Sequence, residues 1–581
     1  MQIQKISTQP NIYLHKDAEK PENTQVKNPA FTGAMDGLSS FLSFLDTNPA
    51  VGTCVVDLGS MVIPRTTVDF INRGPSAGAE TARREATGTT NHSTVGLDGF
   101  VVGSLLATGL NSKYGIKAHK IFADEPTINI LTKNYHDAVH SSNPDTLKAH
   151  IDTFVDRIRV FNTDRNNKTG FVEIPEADKK AIKDKFYEVI KKAGKKSVSR
   201  DDKKALYTMI TAATGGEKEV LLKGFENAGM KDASNTLRTL ITNFCNITHV
   251  CESEKVNKVF KETPEFAKNA VVKSLKKLNL SRTVGGLAIA SAIGMSTQPI
   301  NMYLTKKKTG QDGFPADPDR KKDKSGQFKL KKIVTAAIFA LGALSTITTK
   351  PSKFLSKIQF QGMLPSLDQL KLVYGLTITS RLLVARDKDE LREAFVKDTL
   401  GFLNLLILGS LVTKGAARLI DKNLFNKIKL KDSGLFKNKT TLKTRDEVML
   451  PMFKKHGINV FDENGKVLSF RKMLKLVKQL PMDEQKALKK QLAALDVSQI
   501  TGYLYSGIVL GVLIPKLNIY MTNKAAARRK AEAEKLKAET GIQQVQEPVQ
   551  NVEDNKDTKL VPNFSSNTKH LSFEDSQYII K

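Results

Sequence analysis

The chain of 581 residues carries 90 Lys and Arg against 60 Asp and Glu, a formal net charge of +30 that calls for an anionic partner, nucleic acid or lipid head groups. With no Trp and 7% aromatic residues it is poorly equipped to stack on bases, so anionic lipid is the expected partner, beside an unknown protein, and no specific nucleic acid. A hydrophobic content of 40% excludes wholesale disorder, and three cysteines exclude a disulfide framework.

Residues 1–35 are polar and read as a flexible tail. Their opening, MQIQKISTQPNIYLHKDAEK, lacks the apolar core of a signal peptide, so export by that route is not expected. Near their end, Asn28-Pro29-Ala30-Phe31-Thr32-Gly33 resembles a short Asn-Pro-x-Phe-x-Gly element that opens many predicted membrane-associated proteins of bacteria. The resemblance spans those six residues, carries no known activity, and implies a bacterial, membrane-associated protein. Residues 36–118 are rich in Gly, Ala, Ser and Thr, and from Ala86 to Ser112 only Asp98 is charged. Such a stretch suits either a loosely packed hairpin against a membrane or a small-residue core. The segment Pro64–Thr89, PRTTVDFINRGPSAGAETARREATGT with its clustered Arg83, Arg84 and Glu85, reads as an interaction segment.

Residues 119–280 predict a soluble helical domain: AIKDKFYEVIKKA, KKALYTMITAAT and NTLRTLITNFCNI repeat apolar residues at three- and four-residue steps. Cys245 and Cys251, six apart on one such helix, lack a ligand spacing and read, with Cys54, as buried reduced thiols. Within this domain FVDRIRVFNTDRNNKTGFVEIPEADKKAIKDKFYEVI has the grammar of an EF-hand, a helix, an oxygen-rich loop, a Gly, an apolar residue and a Glu opening a second helix. Asn162, Asp164 and Asn166 then take the first ligand positions and Glu176 the last, at the cost of three extra residues. The simpler reading is a turn closed by Asn and Asp, with Pro175 and Glu176 starting a helix. No cofactor is therefore expected, and calcium is the one alternative the sequence offers. A second constellation, His136-Asp137-x-x-His140, places two imidazoles one helical turn apart as zinc enzymes do, with Asp in place of the usual Glu and His150 as the available third ligand. Surface histidines explain it more simply. TAATGGEKEV lacks the Gly-Lys-Ser/Thr of a phosphate loop, and no GxSxG or strand-borne GxGxxG occurs. No catalytic residue is assigned, and the reading leans away from an enzyme.

Residues 281–413 predict hydrophobic helices, and 497–524 another. Charge disappears over Thr283–Thr305, Ile333–Thr349, Thr399–Thr413 and Val497–Pro515, lengths that straddle the roughly 20 residues of a membrane-crossing helix. Gly286, Ala290 and Gly294, then Gly507 and Gly511, recur at helical spacing on one face, where backbones approach closely in lipid. Between the first two gaps lie ten Lys and Arg against four Asp, so residues 283–349 read as a hairpin with its basic loop in the cytoplasm. Leu370–Arg386, interrupted by Lys371 and Arg381, reads as lying flat on the membrane. Gln298, Asn301 and Asn404 are the polar residues of the gaps, and hydrogen bonding between helices accounts for them. An internal echo joins Gln298–Lys308 (QPINMYLTKKK) to Pro515–Lys524 (PKLNIYMTNK), with a partial third copy in residues 9–16. It suits an apolar helix reaching an interface, with Tyr at the head groups and Lys on phosphates.

Residues 414–496 form a basic connector, in which GINVFDENGKVLSF predicts a β-hairpin near 458–470 and two helices follow. Residues 525–581 are a basic helix and a polar tail of disordered composition. The expected fold is mainly α: a multi-helix membrane protein with a soluble helical domain and one short β-hairpin. The expected place is the bacterial cytoplasmic membrane, and the leading function is a membrane-anchored structural or interaction protein. A small transporter or channel, and a soluble helical, calcium-responsive binding protein, are the alternatives.

Overall fold

In the computed structural model, residues 31–47, 49–163, 169–194, 196–223, 236–310, 322–429 and 438–539 are described. The chain divides into Met1–Asn523 and Lys524–Lys581, and of the second only the helical stretch to Glu539 is described. As expected, the protein is mainly helical.

The first unit begins with α1 (Phe31–Thr47), α2 (Pro49–Asp57), α3 (Ile63–Arg73), α4 (Pro75–Leu106) and α5 (Thr108–Tyr114). Residues 36–118 therefore form long helices rather than a loose hairpin. The soluble-type part follows as α6 (Glu125–Val139), α7 (Thr146–Arg157), α8 (Glu176–Ala193), α9 (Arg200–Thr214), α10 (Leu237–Cys251) and α11 (Glu254–Glu262). Its helix ends follow local chemistry: Asp124 and Ser199 cap α6 and α9 by accepting backbone N–H groups, and Gly215, at φ 72°, closes α9 in the left-handed region. A continuous apolar core runs through it, with Phe154 stacked on Phe244 at 3.7 Å.

Three strands cross this part. β1 (Ile158–Thr163) pairs antiparallel with both β2 (Thr169–Glu173) and β3 (Val220–Leu222), in the order β2-β1-β3. The segment expected as helix–loop–helix is thus a hairpin: α7 stops at Arg157, Val160 faces Val172, and Arg159 pairs with Glu173 at 2.9 Å. Ile158 and Val160, both fully buried, alternate with partly exposed Arg159, the period-two pattern of a strand. β4 (Phe425–Lys429) and β5 (Asn438–Leu442) form a separate ribbon. Where a hairpin was expected near 458–470 there is a single bridge, Phe461 to Val467, turned by Gly465 at φ 70°.

The remaining helices are α12 (Ala270–Thr309), α13 (Gly326–Ser345), α14 (Phe354–Lys357), α15 (Leu367–Val384), α16 (Lys388–Leu403), α17 (Gly409–Ile420), α18 (Arg445–Lys455), α19 (Phe470–Leu476), α20 (Met482–Ile508) and α21 (Ile514–Glu539). α12 packs along α4 and α15, and α13 packs on α15, so the expected hairpin 283–349 is opened by a third helix. α15 does not lie flat: its Arg381 is buried against Asp398 of α16, because that pairing removes the cost of enclosing the charge. Three π turns interrupt the helices at Leu58–Val62, Asn404–Leu408 and Val509–Leu513. The first and third each run directly into an Ile-Pro step, Ile63-Pro64 and Ile514-Pro515. Proline lacks the N–H and crowds the preceding turn, and a widened turn accommodates it. Gly511 lets the two interrupted helices touch, since a Cβ there would sit 2.5 Å from Pro64 and 2.7 Å from the Ser60 carbonyl.

The connector docks on the soluble-type part through Glu447, whose carboxylate accepts from the backbone N–H groups of Thr444, Glu217 and Lys218. Beside it, burial, then Asp446 and Glu447, push the Glu217 carboxyl up to about 8. A carboxyl raised on folding binds more protons folded than unfolded, so stability is full below the ordinary carboxylate range and falls as pH climbs towards 8. Hydrogen exchange at the Glu217 and Lys218 amides should therefore speed up between pH 5 and 8 by more than base catalysis requires. The excess should vanish in Glu217→Gln.

Candidate functional site

The two parts of the first unit differ in what they leave outside. Between Gly115 and Asn279, the only large apolar side chains left exposed among the described residues are Phe171 and Val172. The bundle instead exposes apolar faces, and its interior combines apolar clusters, among them Phe339, Ile378, Leu382 and Phe402, with polar and charged side chains. α12 buries Arg282, Thr297, Gln298, Asn301 and Thr305 while exposing Val284, Ile289, Ile293, Ile300 and Leu304. α4 buries Glu80, Arg84, Glu85 and His92 and exposes Leu97, Val101 and Leu105. α13 exposes Ile333, Val334, Ile338 and Leu341, and α21 buries Asn518 and Thr522 while exposing Leu517 and Tyr520.

The buried charges pair across the helices in several groups. Arg65 of α3 pairs with Glu85 of α4 at 3.4 Å and donates its Nε to the Leu510 carbonyl, inside a π turn, at 3.0 Å. Glu85 also receives Arg84 at 3.2 Å and Lys397 of α16 at 3.4 Å. Glu80 pairs with Arg386 at 2.9 Å, which in turn holds Glu390 at 2.9 Å. Arg381 meets Asp398 at 3.3 Å. Asp69 accepts from Thr81 at 2.6 Å, and Arg73 reaches Glu393 at 2.7 Å. Thr89 donates to Asp57.

The echoed motif has a shared task here. Asn301 donates to the Glu80 carbonyl at 2.9 Å, and with Thr305 accepts Arg83 at 2.8 and 2.9 Å. Asn518 donates to the Glu393 carbonyl at 3.3 Å, while Thr522 accepts Arg392 at 3.0 Å and donates to the Glu393 carboxylate. In both copies the Asn donates to a backbone carbonyl of a neighbouring helix, and the Thr one turn on accepts from an Arg of that helix. Tyr303 and Tyr520 point outward and are exposed. The partial copy at 9–16 lies outside the described residues.

Between the two copies lies a cavity of about 40 Å³. α3 contributes Arg65, Asp69 and Arg73, α4 contributes Arg84, α12 Gln298 and α15 Arg381. α16 adds Glu390, Glu393, Lys397 and Asp398, and α21 closes it with Pro515 and Asn518. Three lining atoms have no hydrogen-bond partner: Arg65 Nη2, Arg381 Nε and Gln298 Oε1. Buried polar atoms are nearly always satisfied, so the cavity is built to hold water or a polar solute.

Of the residues singled out in the gaps, Gln298 lines the cavity, Asn301 bridges helices, and Asn404 is buried with neither amide atom bonded. Gly286, Ala290 and Gly294 do form a close-approach face: Gly286 lies on Gly99, the Ala290 carbonyl accepts from Asn91, and Gly294 abuts Thr377. The acid–base network itself was missed. Its one sequence trace is the cluster Arg83-Arg84-Glu85, whose partners Asn301, Thr305 and Lys397 lie more than two hundred residues away.

The EF-hand-like residues are scattered in role. Asn162 donates to the Thr214 carbonyl at 3.0 Å, Glu176 is exposed and pairs with Lys179, and Asp164 and Asn166 lie outside the described residues. A calorimetric titration at millimolar calcium tests the loop, and a flat trace removes it as a calcium site. In the second constellation, His136 hydrogen-bonds the Thr263 carbonyl at 3.0 Å, His140 the His136 carbonyl at 3.0 Å, and Asp137 holds Lys133. His150 sits in the core between Asn134 and Thr248, where burial pushes its pKa down to about 3. Among the described residues no group of three or more His, Cys, Asp or Glu is placed to hold a metal. Burial pushes the Cys245 thiol up to about 12 and that of Cys251 upward too. Those thiols stay protonated, and thiolate chemistry is not on offer there.

One described helical segment, Met482–Leu536, is long and apolar enough to cross a membrane, and Pro75–Leu106 with Thr108–Tyr114, bent by 53°, qualifies only as a pair. No protein-family model, curated protein or solved structure matches the chain.

Proposed function

We propose that the bundle is embedded in a membrane and moves a small polar solute or ion through its charged interior, with the 119–280 part held in water. The observation that carries this reading is the reversal in what the two parts leave exposed, apolar faces on the bundle against two apolar side chains between Gly115 and Asn279, together with the charges buried in the bundle. In lipid, apolar side chains belong outside and ionisable ones face the bundle interior, where they mark solute and ion paths. The same reversal explains why most of these helices look too polar to span: their interior faces carry Arg, Glu and Asp. The cavity between two copies of a motif is where transporters built on repeats place their site.

Extraction and flux test it in turn. The protein should stay with membranes through high salt and alkaline carbonate, and full release by carbonate overturns the embedding. Reconstituted in liposomes with an internal pH dye, it should carry proton, acetate or phosphate flux that falls at least about tenfold in Asp398→Asn. Firm membrane retention without flux of any probe would favour the anchoring reading. That reading has its own support: most charges of the network are already paired, as in a static scaffold.

A further inference from the structure

We infer that the cavity between α3, α15 and α16 binds a small, singly charged oxyanion. This deepens the transport reading and rests on it only for what the site serves. Its size suits such a ligand, since about 40 Å³ holds a few waters or one compact ion.

The unmet hydrogen bonds set the sign of the charge. Each lining carboxylate is already engaged: Asp398 by Arg381, Glu390 by Arg386, Glu393 by Arg73, and Asp69 by Thr81. Among the buried atoms of the lining residues, guanidinium N–H is left without a partner at Arg65 Nη2 and Arg381 Nε, on residues only 1% and 5% exposed. Gln298, 4% exposed, adds an amide end without a partner, and its oxygen and nitrogen can exchange places to present N–H. Open donors around an enclosed space call for an acceptor, and guanidinium suits the paired oxygens of a carboxylate or phosphate.

The charge balance limits the ligand to one negative charge. Arg65, Arg73, Arg84, Arg381 and Lys397 line the cavity against Asp69, Glu390, Glu393 and Asp398, an excess of one positive. Glu85, behind the wall, holds Arg65, Arg84 and Lys397 and cancels that excess, so a doubly charged anion would bring two unmatched charges where a singly charged one brings one. Acetate, bicarbonate and dihydrogen phosphate share the required chemistry, whereas chloride supplies one acceptor point instead of two.

The test uses the full chain in detergent, followed by thermal unfolding and calorimetry with sodium acetate, bicarbonate, phosphate and chloride at matched ionic strength. The expected result is a saturating rise in melting temperature with at least one oxyanion and a weaker response to chloride. Gln298→Glu puts a carboxylate on the wall without touching the paired network, and should weaken oxyanion binding on the order of tenfold or more. Arg65→Gln should do the same, but it strips a partner from Glu85, so Gln298→Glu decides if that variant fails to fold. Equal responses to all four salts, no saturable response, or full retention in Gln298→Glu would each overturn the site and leave the cavity to water. Binding without flux would keep the site and remove transport. Flux unchanged in Gln298→Glu would remove the site and keep transport.

Discussion

Asp398→Ala should destabilise the bundle by about 3–5 kcal/mol, the usual cost of orphaning a buried charge. Asp398 is 1% exposed, and its loss leaves Arg381 with the Arg84 carbonyl at 3.5 Å as the nearest acceptor, in a wall already rich in cations. The double variant Arg381→Met with Asp398→Leu should recover most of the loss, because well-packed apolar residues of similar volume replace a buried pair at little or no cost. Thermal or SDS-induced unfolding in mixed micelles measures both. If the single variant unfolds like wild type, Arg381 is solvated there and the network is wet rather than enclosed. If the double variant fares worse than the single, the pair does more than neutralise itself, and a role in fixing α15 against α16 follows.

Gly286→Leu should cost about 1–3 kcal/mol or more and separate α12 from α4. A Cβ at Gly286 would lie 2.7 Å from Gly99 Cα and 2.9 Å from Gly99 N, and backbone cannot move aside as a flexible side chain can. Gly99 cannot shift back, because its own position is set against the Phe360 ring. A matched control is Gly342 on α13, which is exposed with nothing within 4 Å of its would-be Cβ. Gly342→Ala should stabilise by up to about 1 kcal/mol through helix propensity alone. Equal melting temperatures for the two variants would mean that α12 and α4 do not touch at Gly99.

Much of this architecture was legible in residue order. The helices of the 119–280 part followed from three- and four-residue steps, since a helix that buries one stripe must repeat it. The close-approach face of α12 followed from Gly286, Ala290 and Gly294. The strands at 158–173 were readable in principle, but the Asn- and Asp-rich segment between them, followed by Gly170 and Glu176, carried the stronger outward likeness to a metal loop. α15 was misplaced because Lys371 and Arg381 count as polar wherever they point, and only a partner shows that Arg381 points inward.

What the sequence by itself determined was local: periodicity, caps, charge-free gaps, and the Pro–Asn–Tyr–Thr echo. Only the tertiary structure decided that the echo holds two arginines, that the bundle buries charges beside its apolar clusters while leaving apolar faces outside, and that a small cavity lies between the copies. The reason is physical. A helix repeat is set by residues a few positions apart, whereas Glu80 with Arg386, Arg73 with Glu393, and Arg65 with Leu510 join residues more than three hundred positions apart. Nothing in either local segment distinguishes a charge that will be buried against such a partner from one left in water.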